Sequence, residues 1–351
     1  MNSSEFDRTK IYERLDYQPQ PEGYNSRIPW LIQQQVSATN GIHYGNEVGH
    51  LNEYPIPNIP IPIAASGNEL MLDIGCGWGR WLIAAAQKNY IPIGADLRLE
   101  FCEASRYAIS DNGFNGYAVV ADLKNLPFQE NTFSLIWSFS VIQHTHKERM
   151  LSCLSHIHRM LKPGGQTKLE FPNKNGLRNR FGPVKKFSKF ADDYNSWCVR
   201  YYTVSEYRQI FDNIFQNFQF ENHSFLGIGV LPNDLNFVKD SKSRFGISMS
   251  LALSACTNVI PGMKNFSDSI YITAKKNGND QNSVALSEFL NLHRENPSNN
   301  LNLLPILRCP KSSGNLTLSD GQDFLVSHSA KVKYPIVNQI PILIESEAVS
   351  L

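Results

Sequence analysis

The pattern of apolar and polar positions changes character near residue 69. Residues 1 to about 23 are polar, and 24–53 mix aromatics with Gly and His around at least one helical stretch. Tyr54–Pro62 reads YPIPNIPIP, with Pro at every second or third position. Proline fixes φ and removes N–H donors, so this run predicts an extended connector. From Glu69 short apolar runs alternate with amphipathic ones. Leu70–Ile74, Ile91–Ala95, Tyr117–Ala121, Phe133–Ser138 and Thr167–Phe171 read as strands, and Arg80–Lys88, Leu99–Ser110 and Lys147–Leu161 as helices. In the last helix Leu151, Leu154, Ile157 and Leu161 recur at three- and four-residue steps, until Lys162-Pro-Gly-Gly165 stops it. Short apolar strands separated by helices predict an α/β fold: a mostly parallel sheet with helices on both faces.

Past the fifth strand the alternation loosens. Residues 173–215 read as an insertion, Asn- and Arg-rich, then aromatic, ending in a helix near Val204–Phe215. Phe218–Leu226 and Ser269–Ala274 read as two more strands. The polar, Asn- and Ser-rich stretch 278–298 reads as a linker. Residues 299–351 read as a separate small β-rich unit with strands at Phe324–Ser327, Tyr334–Val337 and Ile340–Ile344. The expected division is an N-terminal extension and connector at 1–67, a main domain at 68–277, the linker, and the small unit.

Charge and cysteine usage narrow the function classes. Lys and Arg total 33 against 32 Asp and Glu, so no global field draws the chain to nucleic acid or an anionic membrane. The six cysteines are scattered without a C-x-x-C pair, which argues against a disulfide scaffold or zinc finger and suits a reducing compartment. The first ten residues are polar and charged, unlike a signal peptide. The longest apolar stretch, Ile247–Ile260, is interrupted and too short to span a bilayer. A cytoplasmic protein without membrane insertion is the expectation.

The candidate chemistry lies at the ends of the strands. Leu70–Ile74 runs into Gly75-Cys76-Gly77-Trp78-Gly79, a turn that lets a ligand approach the backbone at a helix N-terminus. The spacing lacks the G-x-G-x-x-G of dinucleotide loops. Asp73 stands two residues before the first Gly; a carboxylate there repels a pyrophosphate but suits a cofactor carrying an ammonium and a sulfonium. S-adenosyl-L-methionine (SAM) has both and no phosphate. Asp96 ends the second strand, where a carboxylate can accept ribose hydroxyls, with Leu97 beside it. Asp122 and Leu123 end the third strand, placed for an adenine amine and ring. Ser138 ends the fourth, at the floor where a transferable methyl would lie.

These segments, LDIGCGWGR (72–80), GAD (94–96), ADLKNLPF (121–128), FSLIWS (133–138) and LKPGG (161–165), resemble the class I (Rossmann-like) SAM-dependent methyltransferases. The resemblance implies a seven-stranded sheet with the last strand antiparallel, and SAM held by Asp73, Gly75, Cys76, Gly77, Gly79, Asp96, Leu97, Asp122, Leu123 and Ser138. The C-terminal run LRCPKSSGNLTL…KYPIVNQIPILI is similar to the zinc-ribbon domain of the tRNA-methyltransferase activator family. There four cysteines bind zinc; here only Cys309 remains, with Ser312, Ser327 and Ala330 near the other positions. One thiolate makes no tetrahedral structural site, so no metal is expected and the unit is stabilised by packing.

For the acceptor, Ser140-Val-Ile-Gln143-His144-Thr-His146 follows the fourth strand, and His144 is the candidate base or orienting group, with a plain helix start as the alternative. His43 and Tyr44 are candidates for a lid over the cofactor, with Tyr44 equally readable as a packing residue. Arg178, Arg180, Lys185, Lys186 and Lys189, interleaved with Phe181, Phe187 and Phe190, form either a phosphate-gripping patch or a solvated basic face. Pro172–Phe181 is similar to an insertion of a bacterial group of small-molecule and glycan methyltransferases. The leading expectation is O-directed methyl transfer to a small-molecule or glycan acceptor. The alternatives are an RNA or protein methyltransferase and a non-catalytic SAM-binding regulator. RNA is disfavoured by the neutral charge and by Ser138-Phe-Ser-Val where amino-group methylases of nucleic acid often carry N/D-P-P-Y/F.

Overall fold

A computed structural model describes residues 18–182, 199–227, 230–257, 259–278 and 283–351. The expected strands form where apolar runs are buried on both faces: β1 (Leu70–Ile74), β2 (Ile91–Asp96), β3 (Tyr117–Ala121) and β4 (Phe133–Ser138) are almost wholly inaccessible. β5 (Leu161–Pro172) begins directly at the end of its helix and bulges at 162–165, so Phe133 pairs with Leu161 while Leu135 pairs with Gln166. β6 (Asn217–Ser224) and β7 (Ser269–Lys275) complete the expected set, with β7 antiparallel to β5 and β6.

The sheet does not stop at seven strands. β8 (Thr317–Leu318), β9 (Phe324–Ser327), β10 (Val332–Val337) and β11 (Ile340–Leu343) extend it in the order β6-β7-β5-β4-β1-β2-β3-β11-β10-β9-β8, and β12 (Val349–Ser350) pairs with β10. β11 lies parallel to β3, with Ile342 opposite Val120 and Leu343 opposite Ala121. The C-terminal residues, expected as a separate unit packed against the main domain, continue the central sheet itself. A free β3 edge would expose a row of unpaired N–H and C=O groups, and β11 satisfies them.

The linker expectation for 278–298 is corrected as well. Ser283 caps a helix over Val284–Glu295 by accepting the Leu286 N–H. Leu286, Phe289 and Leu290 recur at helical spacing and are buried in the same apolar cluster as Tyr117, Phe128 and Leu343. Burial of each contributes roughly 1.5–3 kcal/mol, enough to order a segment whose Asn- and Ser-rich flanks read as coil. Beyond this helix Asn300 is fully buried. Its side chain accepts the Ala118 N–H (2.9 Å) and donates to Ala118 O (2.8 Å) and Gln339 O (2.9 Å).

Among the described residues the α-helices are α1 (Trp30–Thr39), α2 (Arg80–Ala86), α3 (Leu99–Asp111), α4 (Lys147–Met160), α5 (Leu177–Phe181), α6 (Val204–Asp212), α7 (Asp234–Phe237), α8 (Ser241–Cys256) and α9 (Val284–Glu295), with short 3₁₀ turns between some of them. The N-terminal segment packs onto the loop after β1: Ile32, Val36, Tyr44 and Tyr54 share a cluster with Trp78, Val238 and Ile247. The strand order reverses between β1 and β4, which opens a crevice at their carboxyl ends. No helix among the described residues is long and apolar enough to cross a membrane.

Candidate active site

The loop after β1 is shaped by its glycines. Gly75 has φ +76°, and a Cβ there would stand 2.3 Å from Val141 Cγ2. Gly79 has φ +95° and starts α2, and a Cβ there would stand 3.0 Å from the Ser105 backbone on α3. Only a residue without a side chain allows both the turn and the close helix packing. Gly75 and Cys76 donate to Ala95 O at 2.7 and 3.2 Å, tying the loop to β2. Asp96 Oδ2 accepts the Gly77 N–H at 3.0 Å and Oδ1 accepts the Arg98 N–H at 3.1 Å. Burial raises the Asp96 pKa to about 6, and these N–H donors oppose the rise.

Above the crevice is a cavity of about 640 Å³. Gly75, Cys76, Gly77, Asp96, Leu97, Asp122 and Leu123 all line it, as does His144 from the turn after β4. Asp122 Oδ1 accepts the Lys124 N–H at 2.9 Å, which holds the carboxylate at the end of β3. Three of the expected cofactor residues do not reach the cavity. Ser138 is buried and donates to Ile74 O at 3.0 Å, linking β4 to β1. Gly79 serves helix packing. Asp73 is fully buried beneath the loop, and neither carboxylate oxygen has a hydrogen-bond partner. Burial raises its pKa to about 8, partly offset by the Arg80 guanidinium.

Residues 71–165 match the family model described as "Methyltransferase domain". The chain contains a methyltransferase domain. Over 98 residues it is 36% identical to probable tRNA methyltransferase 9B of Homo sapiens, covering 28% of this chain and 20% of that protein. It is 26% identical over 174 residues to the uncharacterized methyltransferase YodH of Bacillus subtilis, covering 50% of this chain and 68% of YodH. Over 49 residues it is 49% identical to a UPF0434 protein of Pseudomonas aeruginosa, covering 14% of this chain and 80% of that protein. The chain thus spans about a fifth of the length of the tRNA methyltransferase relative.

SAM is the methyl donor of such a domain, and the residues present suit it. The carboxylates at the ends of β2 and β3 have acceptor capacity beyond the N–H groups they already bind. Leu97 and Leu123 add apolar surface beside those carboxylates, as a nucleoside requires.

Several side chains at or near the cavity escaped the sequence. Ala38 and Thr39 at the end of α1 line the methyltransferase cavity, so the N-terminal extension forms part of its wall. Tyr44 fits its packing reading: it is buried and donates to Asp234 Oδ1 at 2.9 Å. Arg80 lines the cavity, lies over the Trp81 and Phe139 rings at 5.1 Å each, and donates to Thr39 O at 3.5 Å. Its place directly after the third glycine was the available signal.

His144 is held by its backbone, its N–H donating to Val141 O at 3.0 Å and its carbonyl accepting from Arg200 Nη1 at 2.7 Å. Of the basic insertion, Arg178 and Arg180 lie on α5, while 185–190 lie outside the described residues. In the C-terminal unit Cys309, Ser312, Ser327 and Ser329 come together. Ser312 Oγ is 2.8 Å from Ser329 Oγ, and Cys309 Sγ is 3.5 Å from the Tyr334 hydroxyl. Hydrogen bonds from Ser312, Ser327 and Tyr334 lower the Cys309 pKa, although burial opposes them. Among the described residues no group of three or more His, Cys, Asp or Glu side chains is placed to hold a metal ion.

Proposed function

We propose that this protein transfers a methyl group from SAM to a hydroxyl of a small-molecule or glycan acceptor. The observation that carries the reading is the crevice cavity, in which the Gly75–Gly77 backbone, Asp96 and Asp122 meet at the carboxyl ends of β1, β2 and β3. Asp96 and Asp122 receive the ribose and adenine. Leu97 and Leu123 pack on them, and the Gly75–Gly77 backbone receives the methionyl end. Methyl transfer is an in-line displacement on an activated sulfonium, so positioning within the cavity supplies much of the acceleration. His144 orients the acceptor at the cavity wall. Ser138-Phe139-Ser140-Val141 after β4 supports a hydroxyl acceptor over a nucleic-acid amine, as does the chain's neutral balance.

The C-terminal unit acts as a built-in stabiliser of the methyltransferase sheet without zinc, through β11 on β3. A second reading, an RNA or protein methyltransferase, draws on the tRNA methyltransferase relative and on the activator-like C-terminal run.

Titration calorimetry tests the cofactor reading. SAM binds the wild type, and Asp96→Ala weakens binding about 10- to 100-fold, the loss of charge-assisted hydrogen bonds worth about 1.5–3 kcal/mol. No binding to the wild type, or equal affinity in the variant, overturns the reading. Transfer from labelled SAM to nucleotide-sugars, lipid extracts or RNA separates the two acceptor classes.

A further inference from the structure

Behind the β4 side of the cavity lies a buried polar group that the proposed function does not use. Glu170 on β5 is almost fully buried. Its Oε2 accepts a hydrogen bond from Ser140 Oγ at 2.8 Å, while its Oε1 has no partner. Ser140 itself lines the cavity. It also holds φ +58°, a left-handed conformation that costs a serine roughly 1–2 kcal/mol. Backbone strain of this kind persists only where the surroundings impose it. Here it places a cavity-lining hydroxyl directly on a buried carboxylate. The position follows β4 closely, where the methyl and the acceptor must meet if the SAM reading holds.

We propose that Ser140 and Glu170 form a proton relay for hydroxyl acceptors, Ser140 touching the acceptor and Glu170 receiving the proton through it. This rests on the proposed SAM-dependent activity and deepens it. In the step, the acceptor's O–H bond breaks and its proton passes to Ser140 Oγ, while the Ser140 proton passes to Glu170 Oε2. A new O–CH₃ bond forms as the S–CH₃ bond breaks, and the electron pair of that bond stays on sulfur as a neutral thioether. The sulfonium charge and the carboxylate charge disappear together, so no net charge is created in a buried site. An amine acceptor attacks with a free lone pair and sheds its proton afterwards, so it has no need of this relay.

The groups facing Glu170 are compatible with the role. Burial brings its pKa to about 7, against the Arg80 guanidinium on α2 and the Ser140 hydrogen bond, which favour the ionised form. His223 on β6 is partly buried and pushed down to about 3 by burial, Arg80 and Lys168, so it stays neutral. Tyr271 on β7, Tyr207 on α6 and Tyr201 are all pushed upward by burial and stay protonated. Lys168, two residues before Glu170, is paired with Glu221 at 2.8 Å.

The test has a binding arm and a turnover arm. Affinities for SAM and for its thioether product, S-adenosylhomocysteine, are measured by calorimetry from about pH 5.5 to about pH 8.5. The ionised Glu170 attracts the sulfonium but not the thioether, so the preference for SAM rises with pH by about tenfold, the effect of one pKa unit of coupling. Glu170→Gln, which keeps the shape, removes most of the rise and still binds S-adenosylhomocysteine, which reports folding. Asp73→Asn, whose carboxyl also titrates nearby, retains the rise. A flat preference in the wild type, or a rise unchanged in Glu170→Gln, overturns the relay while the SAM reading stands. No binding of either compound at any pH overturns both.

In the turnover arm, labelled SAM identifies the acceptor. Glu170→Gln then lowers kcat by about a hundredfold, in the range of general-base effects, and changes KM little. A loss confined to KM, or a turnover spectrum containing only amine acceptors, overturns the relay.

Discussion

Replacement of Asn300 by alanine is the most direct test of whether the C-terminal fifty residues belong to the sheet. The Asn300 amide is fully buried and makes three hydrogen bonds, two to Ala118 in β3 and one to Gln339 just before β11. The Ala118 contacts form a closed pair, one accepted and one donated, as a neighbouring strand would supply. Alanine removes all three bonds and leaves the Ala118 N–H and C=O facing an apolar surrounding. Each buried polar group left unpaired costs about 1–3 kcal/mol. Gln339 lies in an exposed turn where water can replace the amide, so the expected loss is about 3–5 kcal/mol. Urea unfolding followed by fluorescence reads the total, and amide hydrogen exchange at Ala118 reads the local effect. The prediction is a lower unfolding midpoint with faster exchange at Ala118. A loss below about 1 kcal/mol, with Ala118 still protected, would refute the argument, because the β3 edge would then be satisfied without this anchor.

Three further outcomes follow from the cofactor loop and the C-terminal unit. Gly75→Ala puts a methyl group 2.3 Å from Val141 at positive φ; SAM affinity falls more than about tenfold by calorimetry, with a stability loss of about 2 kcal/mol or more. Asp73 has its pKa raised by burial from 3.8 to about 8. The folded state therefore holds a proton that the unfolded state releases, and the contribution to stability decreases as pH rises from about 4 through about 8. Asp73→Asn removes that decline, so thermal melts without SAM show the variant gaining on the wild type as pH rises; parallel profiles would sink the assignment. Prolonged treatment with a zinc chelator leaves the melting temperature unchanged, because serine hydroxyls stand beside Cys309 where a zinc ribbon needs thiolates. A chelator-induced drop, or stoichiometric zinc in the purified protein, would contradict this.

Much of the site was legible because its chemistry is local. The five short apolar runs are buried on both faces, which is why Leu70–Ile74 or Tyr117–Ala121 can be read without knowing their neighbours. Gly75 and Gly77, with Asp96 and Asp122 at successive strand ends, come together at one cavity because a strand's carboxyl end is a position in sequence as well as in space. Where the reading went astray, the deciding partner was distant. Ser138 and Asp73 sit at strand ends yet face inward, since the pleat and the loop's tie to Ala95 decide the side. Arg80 and Thr39 meet at the cavity across forty residues of chain, and Ser140 finds Glu170 thirty residues on.

The C-terminal region marks the boundary most clearly. Its amino acids alone determined that strands form at Phe324–Ser327 and Ile340–Leu343, because alternating or buried apolar residues between turns admit little else. The helix at Val284–Glu295 was not legible there: its polar composition reads as a linker, and burial of Leu286, Phe289 and Leu290 against the core orders it. Only the tertiary structure decided that these pieces continue the methyltransferase sheet. Strand pairing is a hydrogen-bonding relation between backbones, and backbone groups are the same in every residue. What selects β3 as the partner of β11 is the unpaired edge it presents, the apolar surface on both sides, and the Asn300 amide that bridges them.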